Sequence, residues 1–283
     1  MIKIIGFSLF VFMVIGCNSL DKPDPVASYV YIPNIKMAVK PGYGTINQEF
    51  KEAWVYLDGT LMGAFPVPGL VPLIKAGNGE VTVFAGIYKN GIKETAELFP
   101  LVDRSTHVLN LTPGKIDTIM PLVKYRDDIT PLIVEDFEGS LSVFTDKLNG
   151  YGVTFTNTDV FEGAKSGVME MDTLFPLNEV GSFELNSIPR DGTKIYVEIH
   201  YKNEVDLLIG LKGYSSNDQG TQYLVGLRPS DEWKKVYIDL TDEVLASDFP
   251  NYKLLLQAGL PFDGVNITKD KARVLIDNVK LLY

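Results

Sequence analysis

Hydrophobic and polar residues alternate along most of this chain in short runs that are separated by glycine, proline and acidic residues. Runs such as SYVYI, AWVYLDG, EVTVFAG, THVLNL and KIDTIM follow one another between Ser28 and Val123. Alternation over four to eight residues, bounded by turn residues, is typical of half-buried β-strands. No run in this region shows a convincing helical period. The pattern therefore predicts an all-β, immunoglobulin-like sandwich over residues 28–123.

The stretch AWVYLDGTLMGAF contains the clearest local signal of this region. Asp58 and Gly59 separate two apolar-rich arms, and Asp-Gly is a preferred pair for a two-residue β-hairpin turn. The stretches WVYLDGTLMG, VPGLVPLIKAGNGEVTVFAG and LTPGKIDTIMPL resemble the PEGA-like and related immunoglobulin-like modules of bacterial surface proteins. The resemblance implies a non-catalytic spacer or interaction domain. The chain departs from this pattern in the insert IYKNGIKETAELFPLVDRS.

A second strand-rich region follows KYRDDITPL, residues 124–132, whose charges and proline predict an interdomain linker. Short strand-like runs fill residues 133–283, among them KIYVEIHYK, VDLLIGLKGY, TQYLVGLRP and KLLLQAGLP. One short helix is expected at TDEVLASDF, with Thr241 as its cap. The expected fold class is all-β, with two tandem β-sandwich domains of which the second is a jelly roll of two antiparallel sheets.

The first residues of the chain have a different pattern. Lys3 precedes an almost wholly apolar run from Ile4 to Ile15. This run is shorter than the roughly 20 residues that cross a bilayer and predicts a secretory signal peptide over residues 1–16. The sequence VIGC resembles the lipobox of bacterial lipoproteins, and Cys17 is the only cysteine of the chain. The resemblance implies cleavage before Cys17 and acylation of its sulfur.

Composition indicates which partners the exported protein should have. The formal net charge is −10, so the surface repels phosphates, and neither nucleic-acid binding nor a basic membrane patch is expected. The lipobox resemblance implies two or three acyl chains on Cys17, and two or more chains make membrane attachment stable where a single chain binds only marginally. A tether over residues 17–27 follows. Asn18 and the stretch DKPDP favour, by resemblance, a Bacteroidota-type lipoprotein on the periplasmic or surface face of the outer membrane.

Acidic residues near both ends of the second region indicate a candidate metal site. EDFEGS, VFEGAKSGVMEMD and VLIDNVKLLY, with DEWKKVYIDLTD as a weaker likeness, resemble the jelly-roll carbohydrate-binding modules of glycan-degrading proteins. The resemblance implies a structural calcium held by Glu138 and Asp277, with carbonyls of Gly163 and Lys165 as further donors. Asp136 replaces Glu138 if the register shifts by two residues. Calcium prefers six to eight oxygen ligands; solvent-facing or turn-stabilising acids are the alternative.

Alternation in KIYVEIHYK predicts a candidate ligand-binding face. One set of alternating residues is apolar and predicts core, which leaves Tyr196, Glu198 and His200 together on the opposite, concave face. Trp233 is a further candidate, because aromatic rings pack against the faces of sugars. The alternative for Trp233 is a structural role at the edge of the sandwich.

No catalytic motif is present in the sequence. A nucleophile elbow, a metalloprotease helix and a phosphate loop are all missing, and His107 is the only histidine besides His200. Tyr201, Tyr214 and Tyr223 punctuate the middle strands, where half-buried packing is the alternative to binding. The sequence therefore predicts a lipid-anchored, non-catalytic envelope protein whose jelly roll binds a glycan. The alternatives are an adhesion or assembly protein that binds another envelope protein and, less favoured, a glycoside hydrolase with paired acids.

Overall fold

The computed structural model describes residues 25–186 and 188–283. Within these residues the chain forms β-strands, one α-helix, α1 (Thr241–Ala246), and one 3-10 turn (Lys93–Thr95). The predicted fold class is confirmed: the chain is all-β, with two tandem sandwiches. Residues 1–16, predicted as a signal peptide, and Cys17 in the lipobox-like sequence lie outside the described residues. None of the helices in the described part is long and apolar enough to cross a bilayer.

The first domain consists of two layers of short strands. Its strands are β1 (Ser28–Ile32), β2 (Lys36–Met37), β3 (Glu52–Leu57), β4 (Thr60–Pro66), β5 (Gly69–Leu73), β6 (Gly77–Tyr88), β7 (Ala96–Leu98), β8 (Ser105–Leu111), β9 (Ile116–Thr118) and β10 (Leu122–Val123). One layer has the order β4-β3-β6-β7, with β8 also paired to β6; the other contains β5-β1-β9 and the pair β10-β2. Asp58 and Gly59 have φ values of 49° and 80°, so the predicted hairpin turn is present.

The second domain is a sandwich of two antiparallel sheets. Its strands are β11 (Pro131–Glu135), β12 (Asp146–Asn149), β13 (Val153–Thr156), β14 (Ser166–Asp172), β15 (Leu177–Gly181), β16 (Tyr196–Asn203), β17 (Leu207–Tyr214), β18 (Gln219–Leu227), β19 (Ser230–Asp239), β20 (Asn251–Gly259) and β21 (Lys271–Leu282). One sheet has the order β13-β14-β21-β16-β19, with β11 also paired to β21, and is named here the covered sheet. The other, β12-β15-β20-β17-β18, is named the open sheet.

Alternation explains how the two sheets of the second domain pack. Ile199 on β16 and Ile276 on β21 point towards Ile209 on β17 and Leu254 on β20, and all four are fully buried.

The predicted short helix is present as α1, but Thr241 is not its N-cap residue as predicted. Thr241 is the first helical residue, and its backbone N–H donates to Oδ1 of Asp239 over 2.9 Å.

The outer side of the covered sheet packs against the first domain. Tyr196, Tyr237 and Leu282 of the second domain belong to the hydrophobic core of the first. Segment 124–132, predicted as a linker, is itself packed: Tyr125 is 1% exposed and forms a β-bridge with Val102. The two domains therefore share a buried interface rather than being joined by a solvated spacer.

The insert that departs from the module pattern contributes to this interface. Its Phe99 ring lies 5.5 Å from the ring of Tyr196 and 5.0 Å from that of Tyr237, measured between centroids. Lys89 forms an isolated β-bridge with Tyr237, and the Tyr196 hydroxyl donates to the carboxylate of Glu97. These contacts connect the end of β6 and β7 to strands β16 and β19 of the second domain.

Candidate functional site

The structure brings together the three segments that carry the calcium prediction. Glu138 lies against the loop after β13, where its Oε1 accepts backbone N–H groups of Ala164 and Lys165 over 2.7 and 2.9 Å. These two hydrogen bonds lower the pKa of Glu138. Gly163 has a φ of 74°, and a Cβ there would lie 2.3 Å from Oε1 of Glu138. Glycine is therefore required where the loop passes the carboxylate.

Asp277 is fully buried at the other side of this loop. Its Oδ2 accepts the hydroxyl of Ser166 over 2.6 Å and, more weakly, the N–H of Glu162 over 3.4 Å. Its Oδ1 accepts the N–H of Asn278 over 2.7 Å. Burial raises the pKa of Asp277 to about 6, although these hydrogen bonds act in the opposite direction.

The donor set around Glu138 and Asp277 does not fit a calcium ion as it is arranged here. The loop turns the N–H group of Lys165 towards Glu138, where the prediction placed a carbonyl. The ammonium of Lys165 in turn lies 3.1 and 3.0 Å from the carbonyl oxygens of Glu138 and Gly139. No three His, Cys, Asp or Glu side chains converge on a metal-sized site in the described residues. Calcium at this place stays a prediction from the resemblance.

Tyr196, Glu198 and His200 share one face of β16, as the alternation predicts, but that face is not open. Their side chains are 0%, 0% and 4% exposed. Residues 28–125 cover Tyr196 and Glu198, whereas Phe161 of the second domain stacks on His200. The prediction that these residues form a concave ligand-binding face is therefore wrong. Alternation shows which residues share a face, but it does not show what lies over that face.

Glu198 is the centre of an ionic cluster between the domains. Its Oε2 lies 2.7 Å from Nζ of Lys235 and 3.9 Å from Nζ of Lys280, and its Oε1 accepts the Tyr125 hydroxyl over 2.6 Å. Burial alone would raise the pKa of Glu198, but the two ammonium groups outweigh it and lower the pKa to about 2. Burial lowers the pKa of Lys280 to about 8.

The remaining hydrogen bonds of this cluster come from a loop of the first domain. Lys280 donates to the carbonyl oxygen of Thr45 over 2.7 Å, and Lys235 donates to that of Asn47 over 3.1 Å. The hydroxyl of Tyr237 donates to Oε1 of Gln48 over 2.8 Å. The cluster therefore fixes one domain on the other, and its polar groups have partners from both.

Trp233 lies on β19, at the edge of the covered sheet. This position agrees with the alternative given for Trp233, a structural role at the edge of the sandwich. Its ring is half-buried and lies 5.5 Å from the ring of Phe161, which stacks on His200 at 4.0 Å between centroids. Burial lowers the pKa of His200 to about 2. The imidazole is therefore neutral near pH 7 and is unsuited to binding an anion by charge.

The outer face of the open sheet is a polar surface that the first domain does not cover. The hydroxyl of Tyr223 on β18 donates to Oε1 of Glu179 on β15 over 2.5 Å and accepts Nε2 of Gln257 on β20 over 3.1 Å. Burial and the nearby carboxylate raise the pKa of Tyr223. All three side chains are half-buried, so a ligand can reach groups whose orientation is already fixed.

A second group on the same face lies towards the end of β17. The register places Lys212 opposite Lys253, and Lys253 pairs with Asp146 over 2.7 Å. The ammonium of Lys253 also lies 5.9 Å from the centre of the Tyr214 ring. Lys212, Tyr214, Lys253 and the loop 215–219 line a cleft of about 520 Å³, which is within the usual size range of small-ligand sites.

Two glycines and a leucine lie between these two groups. Gly210 on β17 lies between Tyr223 and Leu255 in the register, at a bulge where a Cβ would lie 2.2 Å from the carbonyl oxygen of Gln222. In the row Gly181, Leu255 and Gly210, the leucine side chain is fully buried. Sequence reasoning noted Tyr214 and Tyr223 but did not combine them with Glu179, Lys212, Lys253 and Gln257, because these polar positions are spread over four strands.

The outer face of the open sheet can bind a neutral, hydroxyl-rich ligand. Carboxylate, amide and phenol groups with fixed orientation can donate and accept hydrogen bonds to hydroxyls, and tyrosine rings offer apolar surface to the C–H faces of a sugar. Lys212 and Lys253 lie on this face with the carboxylates of Asp146 and Glu179, so charges of both signs are present.

Comparisons with known proteins show similarity only at the level of solved structures. No protein-family model matches the chain, and no curated protein matches it. The CBM22-1 xylan-binding domain of Paenibacillus barcinonensis Xyn10C is 16% identical, with a TM-score of 0.40 over 54% of this chain and 93% of that domain. The family 30 carbohydrate-binding module of the Clostridium thermocellum cellulase Cel9D-Cel44B is 12% identical, with a TM-score of 0.40 over 53% of this chain and 97% of that module. A likeness of this degree does not assign a ligand to this chain.

Proposed function

We propose that this protein is a non-catalytic, lipid-anchored envelope protein that binds a polysaccharide on the outer face of its open sheet. The observation that supports the proposal best is the hydrogen-bonded group of Tyr223, Glu179 and Gln257. It lies on a sheet face that no other part of the described chain covers. The neighbouring cleft beside Tyr214 extends the polar surface along β17.

The uncovered state of this face has a structural reason. The covered sheet uses its outer side to hold the first domain through Glu198, Lys235 and Lys280. The open sheet has half-buried Tyr, Glu, Gln and Lys side chains at most of its outward positions, together with Leu208 and the buried Leu255. Protein–protein interfaces usually have an apolar centre. This surface has hydrogen-bonding groups with aromatic neighbours instead, which suits a carbohydrate ligand better than a protein ligand.

Anchoring to the membrane belongs to the same proposal and depends on the sequence around Cys17. Cleavage at the lipobox-like sequence and acylation of Cys17 would tether the first domain to the outer membrane. The second domain would then present the glycan-binding face on the periplasmic or cell-surface side. Mass spectrometry of the amino-terminal peptide from membranes tests this part: acyl chains on Cys17 are expected, and an unmodified cysteine contradicts it.

Affinity electrophoresis of the full chain in gels that contain soluble polysaccharides tests glycan binding. A panel of xylan, glucomannan, mixed-linkage β-glucan and polygalacturonate covers neutral and acidic backbones. We expect at least one of them to retard the protein. Tyr223→Ala should weaken that binding about tenfold, which corresponds to 1.4 kcal/mol, because it removes both the ring and the hydroxyl that orients Glu179.

A matched control separates loss of the site from loss of any tyrosine. Tyr151 is 38% exposed and lies between β12 and β13, away from the outer face of the open sheet. Tyr151→Ala should leave the retardation unchanged. Equal weakening by both variants, or no retardation by any glycan of the panel, contradicts the proposed site.

A protein ligand is the second candidate, and one group of exposed side chains favours it. The loop between β14 and β15 and the loop between β20 and β21 meet at one end of the second sandwich, where the N–H of Leu260 donates to the carbonyl of Pro176. Leu174, Phe262 and Val265 there are 74%, 64% and 79% exposed. Capture of an envelope protein that depends on these three residues and is not competed by sugar would support adhesion.

A further inference from the structure

The layer β5-β1-β9 of the first domain has an apolar outer face. Outward positions of β1 are Tyr29 and Tyr31; the register pairs Tyr31 with Leu70 and Thr118, and pairs Tyr29 with Pro72 and Ile116. Ile74 continues the same alternation just after β5. We name these residues the apolar layer face: Tyr29, Tyr31, Leu70, Pro72, Ile74, Ile116 and Thr118. None of them is charged.

The exposure of this face is high for such side chains. Tyr31 is 37% exposed, Leu70 45%, Ile116 59% and Ile74 67%. These residues are direct or diagonal neighbours on adjacent strands, so they form one surface rather than scattered single contacts. In a chain with a formal net charge of −10, a contiguous uncharged surface of this kind marks an interaction site.

The position of the tether indicates what this face contacts. The N–H of Gly114 donates to the carbonyl of Ala27 over 2.8 Å, and the N–H of Tyr29 donates to that of Lys115 over 2.9 Å. These bonds hold the start of β1 within the layer that bears the apolar face. Cys17 is 11 residues before Ser28, and an extended chain of that length reaches at most about 40 Å.

We propose that the apolar layer face lies on the lipid bilayer, in the headgroup region, when the protein is anchored. The inference rests on the acylation of Cys17 in the proposed function, because the acyl chains bring this layer to the membrane. Two neighbouring tyrosines suit the interface, where amphipathic rings are favoured. The exposed Lys115 next to Ile116 suits anionic headgroups. Such a contact would add to the acyl chains and orient the first domain.

Hydroxyl-radical footprinting of the acylated full-length protein on vesicles tests this contact. Vesicles of phosphatidylethanolamine and phosphatidylglycerol serve as the membrane. Tyr31 and Tyr151 are 37% and 38% exposed and have the same intrinsic reactivity, so they should be oxidised at similar rates if neither is covered. We expect Tyr31 to be oxidised at least about threefold more slowly than Tyr151, because the interface excludes solvent from it.

Charge-introducing variants make the test specific. The double variant Leu70→Glu with Ile116→Glu places two carboxylates on exposed positions of the apolar layer face and should bring the Tyr31 rate back to that of Tyr151. Val108→Glu is the control, since Val108 is 75% exposed on β8 of the other layer; it should leave Tyr31 protected.

Three results would overturn the inference, and they are distinguishable. Equal rates for Tyr31 and Tyr151 in a protein whose Cys17 is acylated would refute the membrane contact while leaving the anchor intact. An amino-terminal peptide without acyl chains would refute the anchor and the contact together. Protection of Tyr31 that grows with protein concentration at constant lipid would assign the face to a second copy of the chain.

Discussion

The two sheets of the second domain carry similar side chains on their outer faces and use them in opposite ways. The covered sheet places Tyr196, Glu198, Lys235 and Lys280 under the first domain, where the side chains of Glu198 and of the two lysines are at most 1% exposed. The open sheet keeps its tyrosines, acids and lysines half-exposed. The same residue types therefore form a buried ionic cluster between the domains on one sheet and a candidate ligand-binding surface on the other.

This difference shows that the role of polar residues on a sheet depends on whether another domain packs over them. A buried charge needs partners from both sides, and Glu198 has them in Lys235, Lys280 and Tyr125. On the open sheet the pair of Lys253 and Asp146 is complete within the sheet itself. It needs no second domain, which leaves its outer side available to a ligand.

Removing the charge of Glu198 should have the largest effect on the free energy of unfolding, because it disrupts the ionic cluster between the two domains. Glu198→Ala leaves two ammonium groups buried without their carboxylate, and a broken buried pair typically costs about 3–5 kcal/mol. Urea denaturation should show a loss of free energy of unfolding of this size.

Glu204→Ala provides the matched comparison for this prediction. Glu204 pairs with Lys269 and Arg273, but its side chain is 44% exposed, so its loss should cost about 1 kcal/mol or less. Equal costs for the two variants would contradict the view that the ionic cluster joins the domains.

The second largest effect is expected from low pH, which should lower the free energy of unfolding through His200 and Glu198 of the covered sheet. The folded-state pKa of His200 is lowered to about 2 from 6.5, so stability falls as the pH drops below about 6.5, where only the unfolded chain takes up the proton. Glu198, with a pKa lowered to about 2 from 4.5, adds a loss below about 4.5. Each pKa unit corresponds to about 1.4 kcal/mol, so by pH 3 the two groups together should lower the free energy of unfolding by about 7 kcal/mol.

Urea denaturation between pH 7 and pH 3 measures this dependence. Asp277 acts with the opposite sign, since its raised pKa of about 6 means that the folded state takes up its proton first as the pH falls from 6 towards 3.8. Glu198→Gln should flatten the profile below pH 4.5, because the variant has no carboxyl group to titrate there. A profile that is flat from pH 7 to pH 3 in the unmodified chain would contradict the assignment.

Changes on the open sheet should affect stability much less than binding. Tyr223 is half-buried and contacts Glu179 and Gln257 at the surface, so Tyr223→Ala should lower the free energy of unfolding by about 1 kcal/mol or less. If Tyr223→Ala also removes the retardation of the protein in glycan-containing gels, the open sheet has a binding role and the covered sheet a structural one. A loss of stability as large as that of Glu198→Ala would instead make Tyr223 a structural residue.

Much of the fold could be predicted from the sequence, because it depends on local patterns. Asp58-Gly59 predicts its hairpin from turn chemistry, and KIYVEIHYK predicts correctly which residues of β16 share a face. The burial of that face could not be predicted, since its cover comes from residues 45–49 and from Tyr125, distant in sequence from Glu198. Lys235 on β19 and Lys280 on β21 lie on the two strands that flank β16, so their shared pairing with Glu198 becomes visible only when the three strands are aligned.

The insert IYKNGIKETAELFPLVDRS illustrates the same limit from the other domain. Its departure from the module pattern was visible in the sequence, but its role was not. Phe99 of this insert packs on Tyr196 and Tyr237, so the insert is one of the segments that contact the second domain. The candidate site on the open sheet was missed for a related reason, since its residues meet only when β15, β17, β18 and β20 are aligned.

The smallest effect is expected from removing calcium. Oε1 of Glu138 already accepts two backbone N–H groups, the oxygens of Asp277 have protein donors, and the ammonium of Lys165 lies on two carbonyl oxygens of the same loop. Thermal unfolding in a calcium chelator should therefore give the same Tm as in millimolar calcium. Glu138→Gln, which keeps an acceptor oxygen, should shift the Tm only slightly. A Tm that rises with calcium in the unmodified chain but not in Glu138→Gln would show that the loop rearranges around an ion, as the sequence resemblance implies.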